Sequence, residues 1–177
     1  LQEQRTARRA SMSKRVAKAA EIARAYAIEG HSVILWCELN DEQDALESAI
    51  GAKCYSVQGR NTDEEKEAAI MSWIDRKRPA MVSKSSVMGF GLNLQHCSKV
   101  IFVGATNSWE SYYQSIRRCW RFGQTQPVDV HIVYSEAEGK VLENLERKQA
   151  AADAMGIEMS RHVSAILKDE IVKGTSG

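Results

Sequence analysis

Two stretches are continuously apolar over the length of a strand: "SVILWC", residues 32–37, and "KVIFVG", residues 99–104. A strand that is apolar on both faces needs cover on both faces, as the central strands of a parallel sheet have. The surrounding segments supply that cover. Val16, Ala20, Ala23 and Ala27 form a helical stripe between Ser13 and Glu29, and Gly30 can end that helix. Asn40 or Asp41 is placed to cap a helix running through Ile50, and "KCYSV" (53–57) is a short strand followed by a turn at Gly59. Thr62 and Glu65 make a capping box for a helix that reaches Arg76, with Ile70, Trp73 and Ile74 facing inward and Pro79 as its stop. "AMVS" (80–83) is a further strand, a helix is expected from about Trp109 to Phe122, and "VDVHIVY" (128–134) alternates as a half-buried strand does. From Glu138 on the spacing is helical, with a break expected near Gly156. Strands separated by helices predict βαβ units and a parallel sheet. Ligands of such sheets sit beyond the carboxyl ends of the strands, so the loops after residues 83 and 104 are expected to face the functional site.

The totals narrow the class. A chain of 177 residues, 44% hydrophobic and 27% charged, suits one globular domain with a proper core. No apolar run is long enough to cross a bilayer. The first segment is polar and basic, without the apolar stretch of a secretion signal; no membrane partner and a cytoplasmic location are expected. The lack of an initiator Met and the ending "GTSG" predict a piece of a longer polypeptide. Net charge is only +1, but Arg5, Arg8, Arg9, Lys14, Arg15, Lys18 and Arg24 crowd the first segment, and Arg76, Lys77 and Arg78 form a second knot. Such patches either meet phosphate or are solvated faces. Cys37, Cys54, Cys97 and Cys119 have no CxxC spacing and read as reduced, buried thiols. His31, His96, His131 and His162 are scattered, so no metal is assigned to the side chains.

"QSIRRCWRFGQ" (114–124) places Arg117, Arg118 and Arg121 beside Trp120 and Phe122. At about 100° per residue on a helix, Trp109, Tyr113, Ile116 and Trp120 fall on one side, expected to anchor it. Gln114, Arg117, Arg118 and Arg121 fall on the other. Like charges at this spacing repel by a few tenths of a kcal/mol per pair. The face therefore meets either an anionic partner or acidic residues elsewhere in the chain, and spacing leaves both open. "SKSSVMGFGLNLQHC" (83–97) follows a strand and carries Gly89, Gly91 and Asn93. Glycines there let a backbone approach a ligand closely or make a tight turn. The third glycine of a dinucleotide fingerprint is absent, and no GK[ST] loop occurs anywhere.

In order and spacing the two stretches together resemble the last motifs of superfamily-two helicases, in the Swi/Snf-like branch that includes phage and prophage members. "SKSSVMGFGLNLQHCSKVIFVG" resembles motif V, a strand followed by G-x-G-L-N-L, and "QSIRRCWRFGQTQPVDVHIVY" resembles motif VI, Q-x-x-x-R-x-x-R-x-G-Q followed by a strand. "SVILWCELNDEQDAL" is similar to the motif IV strand and helix. The resemblance spans roughly residues 15 to 150. Remodellers of this branch often carry Trp-Asn-Pro seven residues before the motif VI Gln. Asn107-Ser108-Trp109 stands here instead, which leans toward the phage-like subset.

The resemblance implies the second of two RecA-like lobes: a three-layer α/β domain with a mostly parallel sheet, helices on both faces and helical extensions at both ends. The lobe, with its basic N-terminal helix, would occupy 1–150, and a helical extension 151–177. ATP with magnesium would be held mostly by a first lobe of the same polypeptide. Arg118 and Arg121 fall on the two motif VI arginines that reach the γ-phosphate. Gln114 would orient them, and Gly91 and Asn93 would lie near the ribose. Ser83, Lys84 and Ser85 would touch a nucleic-acid phosphate, with DNA favoured over RNA. Two readings remain from different classes: the motor lobe of an ATP-dependent helicase or translocase, and a nucleic-acid or protein binding module with the fold but no motor. A dehydrogenase or methyltransferase reading lacks the glycine fingerprint and an acidic ribose partner.

Overall fold

The computed structural model describes residues 6, 8–88, 92–106 and 108–174, with side chains described as far as residue 157. The elements run α1 (Met12–Ile28), β1 (Val33–Trp36), α2 (Asn40–Ile50), β2 (Cys54–Val57), α3 (Asp63–Ile74), β3 (Ala80–Ser83), β4 (Lys99–Val103), α4 (Trp109–Cys119), β5 (Asp129–Val133) and α5 (Gly139–Gly174). The five strands form one all-parallel sheet in the order β2-β3-β1-β4-β5. The expected α/β architecture of RecA-like type is therefore present. The chain leaves β1 toward β3 and β2, and leaves β4 toward β5, so the order reverses between β1 and β4. In open parallel sheets that reversal opens a crevice at the carboxyl ends.

Continuous apolarity in β1 and β4 has the expected cause. Val33, Leu35 and Cys37 point into one core with Val16, Ala19 and Ala23 of α1 and Leu46 of α2. Ile34 and Trp36 point into a second core with Ile70 and Trp73 of α3, Leu94, Cys97 and Cys119. The α3 cap is as expected, with Glu65 N donating to Thr62 Oγ1 at 3.2 Å and Thr62 N to Glu65 Oε2 at 3.0 Å. All four cysteines are buried, and burial pushes the Cys37 and Cys54 thiols up to about 12. The chain divides into two compact units, Leu1–Val141 and Leu142–Gly177.

Several local expectations change. α2 is capped at Leu39, not at Asn40 or Asp41, and Glu42 Oε2 reaches back to accept from Leu39 N at 3.3 Å. α5 runs through Gly156 without a break. α4 ends at Cys119, not near Phe122, because Trp120 leaves helical geometry at ψ 81°. Trp120 therefore does not anchor the helix: it is 55% exposed, and Phe122 is wholly exposed.

The basic first segment is not a phosphate-facing patch throughout. Arg15 is 2% exposed and sits 2.7 Å from Glu42, whose side chain is fully buried. Arg15 Nε also lies 3.7 Å from Glu138 Oε2. Arg8 joins them at 3.6 Å from Glu42 and 3.0 Å from Glu38, and donates to Ala105 O and Val103 O at 3.2 and 3.3 Å. Glu138 Oε1 accepts from Ala105 N. The cations thus cross the carboxyl end of β4, where Gly104 has φ +94°. A Cβ on Gly104 would lie 2.4 Å from Arg8 Nη2 and 2.7 Å from Arg15 Nη1, so the glycine is what lets the guanidinium groups lie against this backbone.

Two predictions follow from the packing. Trp73 is fully buried, with Nε1 donating to Pro79 O at 3.1 Å. Trp73→Ala should lower stability by about 3–5 kcal/mol, while Trp120→Ala should cost under about 1 kcal/mol; urea unfolding of the two variants checks the order. His96 packs edge-on against Trp73 with ring centroids 4.4 Å apart. Desolvation, helped by the Arg76 charge, pulls its pKa down to about 4. An imidazole kept neutral in the fold but free to protonate when unfolded favours the fold fully above the ordinary value of 6.5. That contribution is lost as pH falls through the window between 6.5 and about 4. The thermal midpoint should drop across that window, and His96→Phe should drop less.

Candidate functional site

The β1/β4 reversal opens where expected. Trp36 at the end of β1 and Glu38 beyond it, Ser85 after β3, Thr106 after β4, and Ser111 and Tyr112 on α4 line a shallow cleft. The first turn of α4 is built by hydroxyls. Ser108 Oγ accepts from Ser111 N, and Ser108 N donates to Thr106 Oγ1, both at 3.2 Å. Arg117 and Arg118 occupy its last turn, where cations complement the helix dipole.

The inner and outer faces of α4 differ from the expected wheel. Gln114 and Arg117 face outward and Ile116 packs against the second core as expected, but Tyr113 is exposed and Arg118 is buried with Ser115 and Cys119. Arg117 lies over the rings of Tyr113 and Trp120 at 5.9 and 5.7 Å. Trp109 and Tyr113 stack at 5.7 Å. Arg118, expected on the polar face, is only 6% exposed. Its Nη2 donates to Ser85 O at 3.2 Å, and its guanidinium carbon lies 5.2 Å from the centroid of the Trp36 ring. Burial lowers its pKa from the ordinary arginine value. Arg118 Nη1 and Trp36 Nε1 are buried without a hydrogen-bond partner. Two orphaned donors at one strand end are costly, roughly 1–3 kcal/mol each, unless an acceptor reaches them.

The loop 84–97 and the arginine segment meet directly. Leu94 N donates to Arg118 O at 2.9 Å, closing a carbonyl at the end of α4 that the helix itself leaves open. Arg121 lies beyond the helix on the exposed turn, with Nη1 donating to Leu92 O at 3.3 Å. The other sequence candidates separate. Asn93 is exposed and accepts from Gln95 N through Oδ1. Gln114 stands on the outer face of α4 one turn before Arg118. Gly91 lies outside the described residues. Ser83 is fully buried, and its hydroxyl donates to Val57 O at 2.8 Å, so it ties the ends of β2 and β3 together. Lys84 and Ser85 are half-buried just beyond it, and Lys84 Nζ contacts Asn40 Oδ1.

Sequence reasoning passed over Trp36, read only as a strand residue, and Gln124, read only as the end of a motif. The signal for Gln124 was its place after a glycine that needs φ +97°.

Comparison with known proteins bears on the fold and the family. Residues 17–123 match the model of the helicase conserved C-terminal domain. Among solved structures, the fold is similar to the C-terminal part of the Fun30 ATPase domain, with a TM-score of 0.59 at 20% identity. That similarity covers 67% of this chain and 40% of the other, so this chain spans about two fifths of that structure. More than half of the chain lies within the family match, and the chain belongs to the helicase conserved C-terminal domain family.

Proposed function

We propose that the chain is the second RecA-like lobe of an ATP-dependent nucleic-acid motor, a helicase or translocase acting on DNA. In this reading Arg118 and Arg121 present guanidinium groups to the γ-phosphate of ATP, which a first lobe holds. The observation that carries the reading is the junction of two distant stretches: Arg118 binds Ser85 O, its own carbonyl binds Leu94 N, and Arg121 binds Leu92 O. Two arginines of one segment are thereby fixed on one loop. Arg118 Nη1 is a buried donor that lacks an acceptor, a fit to an arriving phosphate oxygen. Similarity to part of an ATPase domain supports the same reading.

The chemistry asks for such groups. Charge spreads over the γ-phosphoryl oxygens in the transition state, and a planar guanidinium can bind two of them at once. Gln114 would steady the arginines, and Gly91 and Asn93 would approach the ribose. Lys84 and Ser85 would take a nucleic-acid phosphate. Among the described residues no group of His, Cys, Asp or Glu side chains is arranged to hold a metal ion. In this reading magnesium would be held by the first lobe, where it would neutralise phosphate charge.

One observation favours the second reading, a binding module with no motor. Arg118 is tucked against Trp36 and Ser85, a structural role that needs no nucleotide. Its truncation would remove internal contacts as well as a phosphate ligand, so Arg121 is the cleaner probe.

The isolated chain is expected to turn over no ATP, because its sequence holds no GK[ST] loop. In the protein carrying both lobes, Arg121→Ala should lower ATP turnover by about 10³-fold or more and leave the thermal midpoint unchanged. Near-normal turnover in a folded Arg121→Ala would show that Arg121 does not serve the γ-phosphate, and absence of turnover in the unaltered two-lobe protein would decide for the binding module.

A further inference from the structure

Gln124 sits at a crossing of backbone that no catalytic assignment covers. Its Nε2 lies within reach of three main-chain carbonyls: Gln95 O at 2.9 Å, Cys119 O at 3.0 Å and Cys97 O at 3.3 Å. An amide nitrogen has two protons, so three acceptors share them. The other end is also fixed, because Gln124 Oε1 accepts from Gln126 N at 3.1 Å. Two of the carbonyls belong to the loop 84–97 and the third to the last residue of α4. One side chain therefore pins the loop to the helix end.

What lies between these pins is Arg121. The chain leaves α4 at Cys119, turns through Trp120, Arg121 and Phe122, and returns at Gly123 with φ +97°. Gln124 N donates to Arg121 O at 3.0 Å, closing the turn. Gly123 has a backbone conformation that other residues rarely adopt, so the return needs a glycine for its φ. Trp120 and Phe122 are exposed and hold nothing in the core. The turn that carries Arg121 is thus held at its closing end through Gln124, in addition to the bond from Arg121 Nη1 to Leu92 O, and not by Trp120 or Phe122.

We propose that Gln124 is a positioning residue. By bonding the carbonyls of Gln95, Cys97 and Cys119, it sets the direction in which Arg121 leaves the turn, and so the alignment of its guanidinium with the transferred phosphoryl group. The inference rests on the arginine reading given above. A lock of this kind acts on alignment and not on nucleotide affinity, so its loss appears in kcat. It also depends on donors: a carboxylate of the same shape would face three carbonyl oxygens and repel them, whereas an ammonium would bring three N–H groups to the same three acceptors.

The test uses the protein carrying both lobes and measures ATP turnover well below its thermal midpoint. Gln124→Glu should lower kcat by about 10–100-fold with little change in KM for ATP, the scale of effect that misplacing a reacting group has. Gln124→Lys should recover most of that loss, and Gly123→Ala should lower kcat in the same direction. Should Gln124→Glu not fold, Gln124→Met, which keeps the length and drops the donors, is read in its place. Wild-type kcat in Gln124→Glu overturns the proposal. So does a loss confined to KM, or a Gln124→Lys as impaired as Gln124→Glu. Arg121→Ala in the same series separates the two layers. If Arg121→Ala is fully active, the arginine reading itself is wrong; if it is inactive while Gln124→Glu is normal, only the lock is.

Discussion

Arg15 and Glu42 lie 2.7 Å apart, both out of reach of water, and the rest of the carboxyl edge is arranged around that pair. Buried ions of this kind are not cheap stabilisers, since the desolvation of each charge offsets most of their attraction. What they impose is placement. Removing one partner strands the other, at roughly 3–5 kcal/mol. Glu42 comes from the start of α2, Arg15 from α1 and Glu138 from beyond β5. Arg8 adds bonds to the β4 end at Val103 and Ala105. These groups are thereby held in fixed relation around Gly104, whose missing side chain leaves room for the guanidinium groups.

The other side of the sheet repeats the principle with a neutral seam and one buried cation. Arg118 lies over Trp36 and binds Ser85 O, so it joins the end of β1 to the loop after β3. Backbone bonds from Leu94 and the amide of Gln124 then tie the loop to the end of α4. Cations on the two faces do different work. Arg15 is matched by carboxylates within the fold. Arg118 is surrounded by carbonyl, ring and thiol, with one donor unmatched. Arg15 Nη1 also lacks a hydrogen bond, but it has a carboxylate 2.7 Å away, whereas no carboxylate pairs with Arg118 among the described residues; that difference separates a cation serving the fold from one suited to an oxyanion.

The strands were legible because β1 and β4 are apolar at consecutive positions, and only a sheet covered on both sides makes use of that. The α3 cap was legible because Thr62 and Glu65 are three residues apart. The inner face of α4 was not. A wheel places Trp109, Tyr113 and Trp120 inside, but α4 meets the sheet side through Tyr112, Ser115, Ile116 and Cys119, and the small Ser115 and Cys119 leave room for Arg118. Trp120 falls past the last turn, where the wheel no longer applies. The ion cluster was illegible for another reason: Arg8, Arg15, Glu42 and Glu138 meet only after the sheet has formed, and nothing in their spacing couples them. Family resemblance located Arg118 and Arg121 as a pair, but it did not foresee that one would be buried and the other exposed.

Residues 92–97 and the arginine segment should behave as one rigid site and not as two neighbouring loops. The direct measurement is hydrogen exchange at the Leu94 amide, which donates to Arg118 O across the seam. If the site is one body, that amide exchanges as slowly as the amides of β1 and β4, through unfolding of the whole unit. Exchange at the rate of an open loop, with β1 and β4 still protected, would contradict it.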